Sequence, residues 1–256
     1  MCLEHTENIE VSRMLKKAIT NIVKKYHGIF GIYVQCDDGT EVKINTSEVF
    51  QSASLIKLFI LLAIQDEDLD NMVEIKDSDR VGGGGVLDKL HLSSLSVRDL
   101  AMLMITLSDN MATNILINYL GMDRVNETIK KYGFKKTILQ RKMLDIKAME
   151  RNMDNYTTPE DVMNVLKILY EKPIFLNMLL EQQLNCKLSL YISENENYKF
   201  AHKTGELTNV EHDAGRLYYK NRTIDVVVMT KGLKDNMDGI KLQNEIGELL
   251  QKIITE

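Results

Sequence analysis

Seven apolar residues in a row, Leu58 to Ile64, follow directly on the polar string Gln51-Ser52-Ala53-Ser54 and a single lysine, Lys57. A helix that is apolar nearly all round must be enclosed by protein. Whatever sits on its first turn is therefore drawn towards the interior. Ser54 and Lys57 are three residues apart, one turn on one helix face, so the amine can lie beside the hydroxyl. Burial disfavours a charged amine, and a neutral lysine can take a proton from a hydroxyl. The start of a helix also offers free backbone N–H groups and a positive dipole end to a developing oxyanion. The bland alternative is a serine N-cap followed by a solvated lysine, and the string by itself does not choose between the two.

The chain has 256 residues, 44% hydrophobic and 27% charged, which is enough for a full core with a cleft. A net charge of -5 with scattered lysines gives no footprint for nucleic acid. No apolar run is long enough for a membrane span. The first residues, Met1 to Asn8, are polar and acidic rather than basic and then apolar, so a cytoplasmic location is expected, or an extracytoplasmic one if a leader has been removed. Cys2, Cys36 and Cys186 suggest neither a disulfide framework nor a thiolate metal site. The five histidines never reach a zinc-ligand spacing, so no metal and no cofactor are expected. His212-Asp213 beside Glu211 invites a triad, but neighbouring strand residues point to opposite faces.

Along the chain, the spacing predicts a helix from Val11 to Val23, strands over Ile29 to Cys36 and Thr40 to Asn45, and then helices with few strand signals to about Asn195. Ser96 with Asp99 reads as a capping box; Asn110 to Leu120, Asp123 to Tyr132, Thr158 to Tyr170 and Pro173 to about Leu184 read as further helices. Gly82 to Gly85 reads as a flexible loop and not a phosphate cradle. Strands return over Tyr198 to Thr204, Ala214 to Tyr219 and Thr223 to Lys231, before a last helix from Met237 to Ile254. The expected fold is α+β: a five-stranded antiparallel sheet flanked by the N- and C-terminal helices, with an inserted all-helical lobe. The sheet lobe would hold residues 1–46 and 199–256, the helical lobe residues 47–198, with the site in the cleft between them.

Two more strings complete the pattern. Ser108-Asp109-Asn110 lies at a joint between two helices, and Lys203-Thr204-Gly205 lies on a returning strand. Taken singly, Asn110 would be an N-cap and Lys203 an exposed strand charge. In the order Ser-x-x-Lys, Ser-Asp-Asn, Lys-Thr-Gly, the chain resembles the class A β-lactamase-like serine hydrolases and penicillin-binding proteins along nearly its whole length. The resemblance implies Ser54 as acylated nucleophile, Lys57 as its proton acceptor, Ser108 as shuttle to the leaving nitrogen, and Lys203 as source of positive potential. It assigns Asn110, Thr204 and Gly205-Glu206 to the substrate, with the N–H groups of Ser54 and Glu206 as the oxyanion hole. It implies a β-lactam, or an acyl-peptide or ester, as substrate; with no nucleic acid and no membrane span in view, a monomer is expected.

One position departs from the pattern. Counted from Arg141, the place where the family's lactamases carry the water-activating glutamate holds Met143, and the asparagine that follows in the family is also missing. Asp145 and Glu150 are the nearest acids. A lactamase with another base, a D,D-peptidase-like or amidase/esterase acyl-transfer enzyme, and an acylated sensor all remain open.

Overall fold

A computed structural model describes residues 2–192 and 196–255. The expected end of the helical block near Asn195 lies outside them, and the side chains of Cys2 and His5 are not described. Strands β1 (Ile29–Cys36), β2 (Glu41–Ile44), β7 (Tyr198–Leu207), β8 (Val210–Tyr219) and β9 (Arg222–Lys231) form one antiparallel sheet in the order β2-β1-β9-β8-β7. Helices α1 (Cys2–Val23) and α9 (Asn236–Ile253) flank it. The intervening lobe carries α2 (Ile56–Ala63), α3 (Val97–Thr106), α4 (Asn110–Leu120), α5 (Met122–Lys131), α6 (Ile146–Glu150), α7 (Pro159–Tyr170) and α8 (Pro173–Leu180).

Alternation along the strands makes two cores from one sheet. Phe30, Ile32 and Val34 of β1 pack with Val226 and Val228 of β9 against α1 and α9. Tyr33, Val227 and Met229, on the opposite face, join the helical lobe. There α2 is enclosed on all sides, every residue of it buried, and at about 2 kcal/mol for each large apolar side chain this helix anchors the lobe.

Two of the strands run longer than the sequence suggests. β7 extends to Leu207 and β8 starts at Val210, so Thr204, Gly205 and Glu206, like His212 and Asp213, lie inside paired strands. Two small ribbons interrupt the helical block: β3 (Phe50–Gln51) pairs with β6 (Tyr156–Thr157), and β4 (Met72–Glu74) with β5 (Ser94–Ser96). α8 stops at Leu180, short of Leu184, because the Gln182 side chain accepts from the N–H groups of Gln183 and Leu184 and donates to Ile105 O. Ser96 and Thr158 cap α3 and α7 as the sequence suggests. Among the described residues no helix is long and apolar enough to cross a membrane.

Candidate active site

The start of the helix that carries Ser54 and Lys57 is pinned from two directions. His212 of β8 accepts from Thr230 N–H at Nδ1 (3.1 Å), so its Nε2 must donate, and it does so to Gln51 O at 2.8 Å. Burial pushes this imidazole down to about 4, which keeps it neutral. It works as a strut between the sheet and the segment leading into Ser54, not as a base, in keeping with the rejected triad. Gly205 makes the second constraint: a Cβ there would lie 3.2 Å from Ala53 Cβ and 3.3 Å from Ser54 N. The edge strand can thus approach the Ser54 turn because position 205 has no side chain.

Lys57 is buried, and among the described residues its amine bonds only to the turn leading into α4 and that helix's first residue: Ser108 O at 2.6 Å, Ser108 Oγ at 3.0 Å and Asn110 Oδ1 at 3.0 Å. The solvated-lysine alternative is thereby excluded. Desolvation pulls this amine down to about 7, against the opposing charge of Asp109. Lys203, also buried, donates to the same Ser108 Oγ at 3.0 Å and to Thr204 O at 2.8 Å. Its burial, then the charges of Lys57 and Lys187, hold it well below the usual lysine range. Of the residues expected at the site, Ser54, Ser108, Asn110, Thr204, Gly205 and Glu206 all line one cleft of about 660 Å³, with the two lysines behind its wall.

Asp109, not Asn110, is the N-cap of α4, accepting from Ala112 N–H at 2.9 Å. The other carboxylate oxygen accepts from Val86 and Leu87 N–H at 2.7 and 2.8 Å. Asn110 is left free to hold Lys57 while it donates to Gly82 O and takes its own place against Gly84 O. The glycine run is therefore a fixed wall of the cleft rather than a flexible loop. A Cβ at Gly85 would fall 2.1 Å from Asp109 Oδ2, which explains the absence of side chains there.

Met143 is buried and lines the same cleft. Asn114, one turn beyond Asn110 on α4, brackets its backbone: Oδ1 accepts from Met143 N–H at 2.8 Å and Nδ2 donates to Met143 O at 3.1 Å. The loop carrying it is clasped by Arg141 and Asp154, whose side chains meet at 2.8 to 2.9 Å out of solvent. Neither nearby acid fills the place. Asp145 is tied up as the N-cap of α6, bonding Ala148 N–H, and Glu150 ends that helix outside the lining of the cleft.

Backbone strain concentrates here as well. Of the seven non-glycine residues with positive φ among those described, three are asparagines and Lys220 sits in the β8–β9 turn; the remaining three, Ala53 (46°), Ser108 (53°) and Leu144 (56°), all line the cleft. Each costs about 1 to 2 kcal/mol, and such residues gather where the surrounding structure fixes a reactive geometry. Asn114, Asp154, His212 and the glycine wall were not legible as site elements in the sequence, although the four-residue spacing of Asn110 and Asn114 places both on one face of α4. Among the described residues no group of three or more His, Cys, Asp or Glu is arranged to hold a metal ion.

Comparison with known proteins agrees with this fold. The model of the beta-lactamase enzyme family matches residues 14–254. The chain is 26% identical over 207 residues to the β-lactamase BRO-1 of Moraxella catarrhalis, a match covering 75% of this chain and 66% of that protein. It is 26% identical over 229 residues to a β-lactamase of Phocaeicola vulgatus, covering 77% of this chain and 68% of the relative, so about a third of each relative lies outside the match. The structure of a β-lactamase from Sphaerobacter thermophilus superposes with a TM-score of 0.83 at 28% identity, over 94% of this chain and 97% of that one.

Proposed function

This chain belongs to the β-lactamase enzyme family, and we propose that it is a serine hydrolase that opens β-lactams by acylation of Ser54 and releases the acyl group slowly. The observation that carries the reading is the convergence of Lys57 and Lys203 on one hydroxyl, Ser108 Oγ, beside the Ser54 turn. A lysine amine brought down to about 7 is in large part neutral at physiological pH and can act as a base.

In this mechanism the Ser54 hydroxyl gives its proton to the Lys57 amine as its oxygen bonds to the lactam carbonyl carbon. The carbonyl oxygen becomes an oxyanion, held by the N–H groups of Ser54 and Glu206. Its collapse breaks the carbon–nitrogen bond. The leaving nitrogen takes a proton from Ser108 Oγ, which is restored from the Lys57 ammonium at 3.0 Å. One proton has moved from Ser54 to the lactam nitrogen, and an ester remains. Asn110 and Thr204 line the cleft where they can bond the substrate's amide and carboxylate.

Release needs a base for the attacking water. At Met143 the cleft offers a thioether, which cannot accept a proton from water. The same observation supports a second reading, a penicillin-binding, D,D-peptidase-like or amidase/esterase acyl-transfer enzyme, or an acylated sensor, in which the acyl group passes to another acceptor or stays on Ser54. Intact-protein mass spectrometry during incubation with penicillins and cephalosporins tests both. A Ser54 adduct that accumulates and decays slowly supports hydrolysis; a stable adduct favours the second reading. An adduct that persists on Ser54→Ala, or neither adduct nor turnover on the wild type, overturns the assignment of Ser54.

A further inference from the structure

Lys187 lies in the connection between α8 and β7, buried on the sheet face that carries α9, remote in sequence from every motif above. Its amine donates to Gly205 O at 2.9 Å and to the carbonyl of the cross-strand partner His212 at 3.3 Å, and it pairs with the buried Glu211 carboxylate. Glu211 in turn accepts from Asn236 at the start of α9. Burying an ammonium costs several kcal/mol unless its partners offset it. Anchoring a connection does not require such a charge: the neighbouring Leu188 is already fixed by its N–H to Asp213 and by its packing against Gly247 of α9.

The bond to Gly205 O has a consequence across the peptide unit. The Gly205–Glu206 peptide is trans, so its C=O and N–H point in opposite directions. Gly205 O faces β8, where the Lys187 amine reaches it together with His212 O. The Glu206 N–H therefore points off the free edge of β7, the edge that meets the Ser54 turn. A cation on the carbonyl oxygen withdraws electron density through the amide and makes its N–H a stronger donor, as hydrogen-bond chains polarise one another. The ion pair is oriented for this: its positive end is at the two carbonyls, while Asn236 holds the Glu211 carboxylate.

We infer that Lys187 is a positioning residue for the oxyanion hole, a buried ammonium that acts through the Gly205–Glu206 peptide to strengthen the Glu206 N–H against the charge developing on a Ser54-bound carbonyl. The inference rests on the reading of Ser54 as the acylated residue. Its effect belongs to the acylation step, not to substrate affinity, because the oxyanion exists only in the transition state and intermediate.

The test uses the full chain with benzylpenicillin, comparing wild type, Lys187→Met, the charge-neutral pair Lys187→Met with Glu211→Gln, and Lys187→Arg. The pair removes both buried charges together, which guards the fold if the single change leaves Glu211 stranded. Removing an oxyanion-hole donor altogether costs about a hundredfold or more in rate, so weakening one should slow acylation about tenfold. The infrared band of the Ser54 ester carbonyl in the trapped adduct should move to higher wavenumber in both Met variants, with benzylpenicillin affinity unchanged, and return towards the wild-type position in Lys187→Arg. A purely structural role would not move that band in a folded variant. An unchanged ester band and acylation rate in the folded neutral pair overturn the role of Lys187 while leaving Ser54 in place. A wild type that is never acylated overturns the reading of Ser54 and this inference with it.

Discussion

Lys57 and Lys203 share one acceptor: each amine nitrogen lies 3.0 Å from the Ser108 hydroxyl oxygen. Two ammonium groups so placed and so buried repel one another, and protonation of one opposes protonation of the other. The site is arranged to hold fewer protons than two exposed lysines would.

A pH dependence follows from Lys57. In the proposed mechanism acylation needs its neutral amine, so the rate of adduct formation on Ser54 should rise with pH through about 7 and then level, read by stopped-flow with a chromogenic cephalosporin. The same depression links to stability. Between about 7 and the ordinary value of 10.5 the unfolded chain holds a proton that the folded one has shed, so this group makes stability rise with pH across that window. Lys57→Met should reduce that rise in urea titrations, leaving the part due to the likewise depressed Lys203, and a wild-type acylation rate that falls as pH increases from 6 to 8 would contradict the neutral base.

In the proposed mechanism Lys57 and Ser108 act on one proton path, so their effects should not be additive. Lys57→Ala and Ser108→Ala are each expected to slow acylation about a hundredfold or more, while the double variant should be little worse than the poorer single one. If the double variant loses the full product of the two effects, the shared relay is wrong.

The loop that carries Met143 depends on the Arg141–Asp154 pair, both members sheltered from solvent. Asp154→Ala leaves the guanidinium buried with, among the described residues, only Lys142 O as partner and should cost about 3 kcal/mol, measured as a lowered urea midpoint at unchanged slope. Arg141→Met with Asp154→Leu should cost less than the single change. Equal losses would mean that the clasp contributes nothing as a charge pair.

What the sequence revealed and what it hid divides by range. Ser54 and Lys57 are one helical turn apart, and Ser108 and Asn110 share one tight turn, so their relation is visible in a few letters. The glycine wall depends on Asp109 reaching Val86 and Leu87, more than twenty positions back, and a run of glycines carries no sign of what fills the space beside it. The role inferred for Lys187 depends on a strand edge formed eighteen residues later. The β3–β6 ribbon has two residues a side, too few for any period to show. The strand ends are hidden for a related reason: Gly205, Glu206, Glu211 and Asp213 are poor strand formers that tertiary contacts hold in place.

Met143 gives the last and most exacting prediction. Its backbone is fixed at both the N–H and the C=O by Asn114, so a side chain exchanged at this position should start from the same place. Met143→Glu would bring a carboxylate to the cleft wall, within reach of a water on the Ser54 ester, and general-base assistance is worth about a hundredfold or more. Release of the penicilloyl group should therefore quicken by about that factor while the rate of acylation stays as it was, followed by mass spectrometry of the adduct against time. The wild type should show a burst of product equal to the enzyme and then slow turnover. Many turnovers per second without a detectable acyl-enzyme would sink this idea. The base would then have to come from a residue other than Asp145, whose carboxylate is already occupied by the start of α6.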